Sequence, residues 1–239
     1  MLFLHEVHQV AGRREEEFEA AYRDGWMPSL AKGDDARLLY FLHHAHGTGR
    51  AYNVVTLTGI RDGAAWEQLM LRLHDGDLRP WARDVDELRH GVAAKMLVPV
   101  PWSPLKDIDL ATVPTSGDHP LTLFMEDTAW PYEGGLEEYL EAARTNYAPS
   151  LAEGGRTGRS LLELQAVLRP AWGAGRWREV VLWQKVTQLK AITPLVTTEV
   201  PPEYRAPGTW MHDALQLRDR WESKLLRTAT WSPFPEAVA

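Results

Sequence analysis

The sequence predicts an α+β fold in which a unit of strand, helix, strand, strand, helix and strand occurs twice in one chain. The first observation behind this prediction is an internal repeat, since WMPSLAKG at 26–33 returns as YAPSLAEG at 147–154, 121 positions later. The second is the return of WSPL at 102–105 as WSPF at 231–234, 129 positions later. One duplication of such length is typical of two tandem domains rather than of a repeat array.

The first repeat is predicted element by element from its apolar periodicity and its turn residues. Phe18, Tyr22, Trp26 and Leu30 recur every four positions, which is the spacing of one face of a helix. Pro28 lies inside this stripe, so we expect it to bend the helix rather than to end it. The predicted elements are strands at 2–10, 38–46, 51–58 and 93–100 and helices at 13–32, 62–73 and 80–90.

The second repeat follows the same order, and its first helix carries Pro149 at the position that matches Pro28. The predicted elements are strands at 121–128, 161–168, 179–185 and 223–230 and helices at 135–153, 188–196 and 207–221. We therefore predict two domains, at 1–106 and 119–239. A linker at 107–118, rich in Pro, Thr and Asp, joins them.

This order of elements is that of the ferredoxin-like unit, whose antiparallel sheet is covered by helices on one face. The bare face must be buried, and two such sheets placed face to face close into a barrel with the helices outside. Because both sheets come from one chain, we expect the barrel to form within the chain. The protein is then expected to be a monomer or a weak homodimer.

The composition excludes several classes of function. The chain has 239 residues, of which 44% are hydrophobic and 25% are charged, as in ordinary globular proteins. Its formal net charge is −7 and it has no basic run, so no nucleic-acid partner is expected. It has no cysteine, which excludes disulfides, thiolate nucleophiles and Cys-ligated metals. No apolar run approaches about 20 residues and the amino terminus lacks a basic start, so we expect a cytoplasmic protein without a membrane partner.

The plan of both halves resembles the NIPSNAP family within the dimeric α/β-barrel group. The resemblance rests on a proline-containing helix that ends in glycine, at 28–33 and 149–154. It rests also on the last strand with its aromatic-Ser-Pro-hydrophobic segment, at 95–105 and 224–234. The resemblance implies the fold. The wider group includes cofactor-free monooxygenases, isomerases, lyases, some haem enzymes and proteins without known activity, so it does not fix a reaction.

These observations lead to two hypotheses of function. The first is an enzyme that uses general acid–base chemistry, without an organic cofactor, on a small apolar or aromatic molecule held inside the barrel. Isomerisation, cyclisation, elimination and oxygenation of an acidic C–H group all remain open. The second is a non-catalytic NIPSNAP-like protein that binds a ligand or a partner. Titratable groups that converge on a cavity would favour the enzyme.

The histidines are concentrated in the first repeat, which holds seven of the nine. In the second strand we assume strict alternation of side chains and align Phe41 with Glu163 and His43 with Gln165. This alignment places His43 on the bare face of the sheet. His43 is therefore the first candidate base, since a neutral imidazole exchanges protons near neutral pH.

Titratable side chains also occur at matching positions of the two first strands. His5 aligns with Glu126, and Glu6 aligns with Asp127. Because neighbouring side chains of a strand point to opposite faces, one member of each pair must face the bare side. A carboxylate on a mostly apolar wall has a raised pKa, which suits proton transfer. We predict that these four residues supply the acid or the orienting partner, unless the carboxylates are only solvated strand-end residues.

Further residues complete the predicted site. Those expected to contact a substrate are Phe41, Tyr40, Tyr52, Glu163, Gln165 and Trp183. No metal and no cofactor is predicted, although two alternatives remain open. His44 and His46, at the predicted hairpin tip, are solvated residues or else metal ligands. Haem would bind through His74 or His90.

Overall fold

The computed structural model describes residues 1–156, 161–174, 178–190, 192, 199 and 202–234 of the chain. Its strands are β1 (Leu2–Val10), β2 (Ala36–His44), β3 (Asn53–Ile60), β4 (Arg89–Pro99), β5 (Leu123–Pro131), β6 (Leu162–Pro170), β7 (Val180–Val186) and β8 (Arg218–Thr228). Its helices are α1 (Glu15–Ala20), α2 (Met27–Leu30), α3 (Gly63–His74), α4 (Arg79–Glu87), α5 (Leu136–Ala142), α6 (Ala148–Arg156) and α7 (Trp210–Asp213). Within these described ranges, no helix is both long and apolar enough to cross a membrane.

The chain divides into two compact units. Among the described residues, unit 1 consists of Met1–Val98, Asp107–Thr122 and the chain from Leu225 onwards, and unit 2 consists of Pro99–Lys106 and Leu123–Lys224. The strand order is β4-β1-β3-β2 in unit 1 and β8-β5-β7-β6 in unit 2. Both are the order fourth, first, third, second of an antiparallel ferredoxin-like sheet. The predicted order of strands is therefore confirmed in each unit.

The first helix of each unit contains a π-helical turn just before its proline. In unit 1 this turn spans Ala21–Trp26 and connects α1 to α2, and in unit 2 it spans Ala143–Tyr147 and connects α5 to α6. Pro28 and Pro149 have no N–H group to donate, and each ring would crowd the carbonyl one turn earlier. A wider turn relieves this crowding, so the helical path continues past each proline, as predicted.

The second strand of each unit carries a β-bulge that the sequence prediction does not include. The pairing shifts between Leu38 and Tyr40 in β2, and between Leu164 and Ala166 in β6. One extra residue reverses the face to which every following side chain points. Strict alternation, assumed in the sequence prediction, therefore holds only up to the bulge.

The Trp-Ser-Pro segments bind these bulged strands in equivalent ways. In unit 1 the Oγ of Ser232 accepts a hydrogen bond from the Phe41 N–H at 3.0 Å, and in unit 2 the Oγ of Ser103 accepts one from the Val167 N–H at 2.9 Å. Phe41 thus corresponds to Val167, 126 positions away, and its predicted alignment with Glu163 is wrong. Each unit includes the Trp-Ser-Pro segment that belongs to the other sequence repeat.

Two predicted helices differ from the structure. The helix predicted at 207–221 is limited to α7 and a 3-10 turn at Ala214–Gln216, because β8 begins at Arg218 and lies next to β5. Strand pairing outweighs the helical spacing of Trp221 there. The strand β4 likewise begins at Arg89, inside the helix predicted at 80–90. The helix predicted at 188–196 falls largely outside the described residues.

Candidate active site

A cavity of about 520 Å³ lies between the helices and the sheet of unit 1. Its walls come from β1, β4, the π turn, α3 and α4. Most of the lining is apolar and aromatic, and includes Leu4, Trp26, Trp66, Met70, Leu73 and Trp81. The polar lining residues are Glu6, Tyr22, His74, Arg79, Arg83, Asp86 and Arg89. Both the volume and this mixture are typical of small-molecule sites.

Glu6 carries the carboxyl group on the sheet wall of this cavity. Its side chain is 15% exposed. Burial raises the pKa of Glu6 from 4.5 to about 7, although the Arg89 charge and the Thr56 hydroxyl act in the opposite direction. The carboxyl group is therefore close to half protonation at neutral pH, and it can both take and give a proton. This raised pKa occurs on the helix-covered face of the sheet, whereas the sequence prediction places the reacting carboxylate on the bare face.

Three residues form a directed hydrogen-bond chain that ends on Glu6. Arg89 Nη1 lies 2.7 Å from His8 Nδ1, and because a guanidinium group only donates, Nδ1 accepts. Burial and the Arg89 charge hold the pKa of His8 well below its usual range, so the ring is neutral and Nε2 carries its proton. Nε2 lies 3.1 Å from Thr56 Oγ1, and the Thr56 hydroxyl donates to Glu6 Oε2 at 3.4 Å. Every donor in the chain points towards the carboxylate and stabilises its ionised form.

Tyr22 lies beside this chain and faces the cavity. Its hydroxyl oxygen is 3.2 Å from His8 Nε2, the nitrogen that carries the proton. Burial raises the pKa of Tyr22 well above its usual range, so the phenol stays protonated and is a hydrogen-bond donor. Tyr22 belongs to the π turn, and such turns are frequent at functional sites.

The aromatic wall of the cavity depends on a glycine of the π turn. Trp81 stacks on Trp26 with ring centroids 4.6 Å apart and an interplanar angle of 17°. The Nε1 of Trp81 donates to the Ala21 carbonyl at 2.8 Å, which ties α4 to the turn. A Cβ atom at Gly25 would lie 2.8 Å from the Trp81 ring. Gly25 therefore permits the close approach that builds this wall.

The matching acid of unit 2, Asp127, has different surroundings. Gln184 Nε2 donates to Asp127 Oδ2 at 2.9 Å, and the Tyr147 hydroxyl donates to the Oε1 of Gln184. Burial raises the pKa of Asp127, while hydrogen bonds from Ser223 and Gln184 and the charge of Arg218 oppose the rise. Asp127 is buried, and it lines neither this cavity nor a cavity of about 620 Å³ in unit 2.

His43 lies on the helix-covered face of the sheet, so its predicted position on the bare face is wrong. Its Nδ1 lies 3.2 Å from Glu15 Oε1, and its Nε2 lies 3.2 Å from Glu19 Oε2, both on α1. Phe41 is on the same face, with its ring centroid 6.2 Å from that of Phe18. The bulge in β2 is the physical reason for the reversal. His43 therefore joins helix to sheet and does not line the cavity.

Several predicted residues lie on the sheet faces opposite the helices. In unit 1, His5 and Tyr40 are buried there. In unit 2, Glu126 is fully buried and accepts a hydrogen bond from Lys224 Nζ at 2.8 Å. Although burial alone would lower the pKa of Lys224, the Glu126 carboxylate raises it. Trp183 is also buried.

The remaining predicted residues lie away from the cavity of unit 1. Tyr52 is 49% exposed in the turn before β3, where its φ is 61°. Glu163 is exposed, and Gln165 is buried at the bulge of β6. Of the residues predicted to act in catalysis, Glu6 is the one that lines this cavity. The others are divided between two units and two sheet faces.

A second cavity, of about 620 Å³, lies in unit 2. Its lining is mostly apolar and includes Trp102, Leu151 and Leu164, with Glu163 at its wall. Among the described residues, no group of three His, Asp or Glu side chains is arranged to hold a metal ion. His74 is exposed and lines the cavity of unit 1.

Four residues of the site are missed by the sequence prediction. Tyr22 is predicted as a core residue of the helical stripe. His8 and Arg89 could have been found from the sequence. His8 lies two positions after Glu6 and so shares its strand face, and Arg89 and Arg218 are 129 positions apart, as the two Trp-Ser-Pro segments are. Thr56 has no such signal, because it faces Glu6 through the register between β1 and β3.

No family model matches this chain, and no curated protein matches it. Solved structures do match. A "putative monooxygenase" from Fusobacterium nucleatum matches with a TM-score of 0.61 and 7% identity, covering 96% of this chain and 93% of that protein. An anthrone oxidase-like protein matches with a TM-score of 0.54 and 9% identity, covering 100% of this chain and 96% of that protein.

The matching structures also include a NIPSNAP domain protein from Burkholderia xenovorans. It is 18% identical, covers 43% of this chain and 97% of its own length, and has a TM-score of 0.36. The predicted α+β fold class with ferredoxin-like units is confirmed. At these identities the likeness shows the fold and not a reaction.

Proposed function

We propose that this protein is an enzyme that removes a proton from an acidic C–H group of an aromatic molecule bound in the cavity of unit 1. The observation that carries the proposal is the carboxyl group of Glu6, which has a pKa of about 7 and lies on the aromatic-lined wall of the cavity. A general base is most effective when its pKa lies near the working pH. The fold likeness to proteins named as a monooxygenase and as anthrone oxidase-like agrees with this chemistry.

The side chains around Glu6 have separate roles in the proposed reaction. Glu6 takes the proton, and the chain from Arg89 through His8 and Thr56 stabilises the carboxylate before the transfer. Tyr22 donates a hydrogen bond to the oxygen on which negative charge develops, since its phenol stays protonated. The stacked tryptophans hold the flat ring of the substrate and keep water away from it.

The proposed proton transfer needs no organic cofactor, because the chain itself supplies the base and the donor. The resulting carbanion has three possible fates. Reprotonation at another carbon is isomerisation, loss of a leaving group is elimination, and reaction with dioxygen is oxygenation. All three begin with the same transfer to Glu6, so a test of the transfer does not depend on which fate follows.

Hydrogen exchange tests this first step. Anthrone is a suitable probe, because its acidic methylene group lies between two aromatic rings. Under nitrogen in heavy water, we expect the protein to exchange the methylene hydrogens faster than buffer does. The rate should rise with pH and reach a plateau above about pH 7, as Glu6 loses its proton.

The variant Glu6→Gln separates the two hypotheses of function. It should bring exchange down to the buffer rate while anthrone still binds. Exchange that is unchanged in this variant would refute the role of Glu6. Tight binding of anthrone by the wild-type protein without any exchange would instead support the non-catalytic, ligand-binding alternative.

A further inference from the structure

The mouth of the unit 1 cavity carries positive charge although the chain as a whole is acidic. Arg79 and Arg83 are exposed and line the cavity. The formal net charge of the chain is −7. A local charge of the opposite sign draws oppositely charged molecules to a cleft. The mouth therefore favours anionic ligands.

The acids that line the same cavity do not cancel this charge. Asp86 is paired with Arg89, whose Nη2 lies 2.5 Å from Asp86 Oδ1. Glu6 lies on the sheet wall, and at neutral pH it carries a charge for only part of the time. Two arginines at the mouth are left without a matching acid among the lining residues.

Arg79 and Arg83 are suited to bind one anion together. They are one helical turn apart on α4, so their side chains share a face. Within the part of the chain that the structure describes, neither forms an ion pair, whereas the nearby Arg72 binds Asp77 at 2.9 Å. A guanidinium group binds a carboxylate through two parallel hydrogen bonds.

We propose that the substrate of unit 1 is an aromatic carboxylate whose carboxyl group binds Arg79 and Arg83 while its ring lies in the cavity. The proposal rests on the proposed function and adds the substrate class. The carboxylate lies at the mouth and the acidic hydrogen lies at Glu6. The two groups of the substrate are placed apart for an electrostatic reason. A second anion beside Glu6 would raise the pKa of Glu6 further and leave less of it ionised, and so less able to take a proton, at neutral pH.

Calorimetric titration with two matched probes tests the proposal. We use 2-naphthoate and its neutral analogue 2-acetylnaphthalene, which has a methyl ketone in place of the carboxylate. We expect the wild-type protein to bind the naphthoate about 10-fold more tightly at low salt, and salt to reduce the preference. The double variant Arg79→Gln/Arg83→Gln should lose the preference to within about 2-fold and bind the ketone unchanged.

The control is a double variant with the same change in charge, Arg13→Gln/Arg50→Gln. Both arginines are exposed and lie outside the cavity, so this variant should keep the preference. Equal affinity of the wild-type protein for the two probes would overturn the proposal, as would a preference that survives in Arg79→Gln/Arg83→Gln. Either result would leave the role of Glu6 intact, since exchange of neutral anthrone does not require these arginines. If neither probe binds at millimolar concentration, the aromatic site fails and this proposal fails with it.

Discussion

Glu6 of unit 1 and Asp127 of unit 2 occupy matching positions on the first strands of the same fold. The charge of an arginine at the start of the last strand, Arg89 or Arg218, acts to lower the pKa of each acid. The aromatic stack is also present in both units, since Tyr147 and Trp210 stack at 4.9 Å, as Trp26 and Trp81 do in unit 1. The architecture around the acid is thus shared.

The neighbours of the acid differ. Three polar residues beside Glu6 have apolar counterparts in unit 2: His8, Tyr22 and Thr56 correspond to Ala129, Ala143 and Leu182. Asp127 receives a hydrogen bond from Gln184 instead and lines neither described cavity. The fold therefore fixes the position of the acid in each unit, while a few neighbouring side chains determine its hydrogen bonds and whether it lines a cavity.

The largest difference between the units is expected in activity. Glu6→Gln should lower the rate of anthrone exchange by about 10²–10⁴-fold, the usual contribution of a general base. Asp127→Asn should lower it by less than about 3-fold, provided that circular dichroism shows both variants to be folded. Similar losses of exchange rate in the two variants would contradict this prediction and assign the two acids the same role.

The next largest difference concerns stability and pH. The pKa of Glu6 is about 7 in the folded protein and 4.5 as the reference, so between these values the folded state holds a proton that the unfolded state has lost. Glu6 should therefore contribute a fall of about 3 kcal/mol to the free energy of unfolding as pH rises through this window. Glu6→Gln should remove this fall.

Urea unfolding of both proteins between about pH 4.5 and pH 8 measures this difference. The pKa of His8 is lowered, so His8 contributes a change of opposite sign, with stability lost as pH falls. Because His8 is present in both proteins, its contribution largely cancels in the difference. Asp127→Asn should also reduce the fall in the free energy of unfolding with rising pH, but by less than Glu6→Gln does. The reason is that Gln184 and Ser223 oppose the rise in the pKa of Asp127. If the difference in the free energy of unfolding between the wild-type protein and Glu6→Gln does not vary with pH, Glu6 is not buried as described.

A smaller difference is expected in packing at the π turns. Gly25→Ala should destabilise the protein by roughly 1–3 kcal/mol, because the new methyl group collides with the Trp81 ring. This cost exceeds the gain of about 1 kcal/mol that alanine brings to a helix. The matching change in unit 2, Asn146→Ala, is on an exposed residue and should stay within about 0.5 kcal/mol. Thermal unfolding measures both, and a neutral Gly25→Ala would show that the tryptophan wall can shift freely.

The smallest difference is expected at the two Trp-Ser-Pro segments. Ser232→Ala and Ser103→Ala each leave a backbone N–H of a bulged strand without its partner. Each should cost about 1–3 kcal/mol, and the two costs should agree within about 0.5 kcal/mol, since the contacts are equivalent. Denaturant unfolding of the two variants gives the values. Clearly unequal costs would indicate that the two contacts are not equivalent in energy.

The sequence alone predicted the features that depend on local pattern. The four-residue spacing from Phe18 to Leu30, the two matching prolines and the two Trp-Ser-Pro segments indicate a repeated order of strands, which the structure confirms. Matching the first strands also drew attention to Glu6 as a titratable residue. These features follow from periodicity and turn chemistry, which act between residues close together in the chain.

Tertiary structure alone decided which titratable groups meet. Glu6 contacts Thr56 across 50 positions, and His8 contacts Arg89 across 81 positions, so both contacts depend on strand register. The bulge in β2 moved His43 from its predicted face to the helix-covered one, because one extra residue reverses every side chain after it. The cavity and the pKa of Glu6 arise from the packing of helices on the sheet. Burial is a property of the whole unit, and no local pattern of residues specifies it.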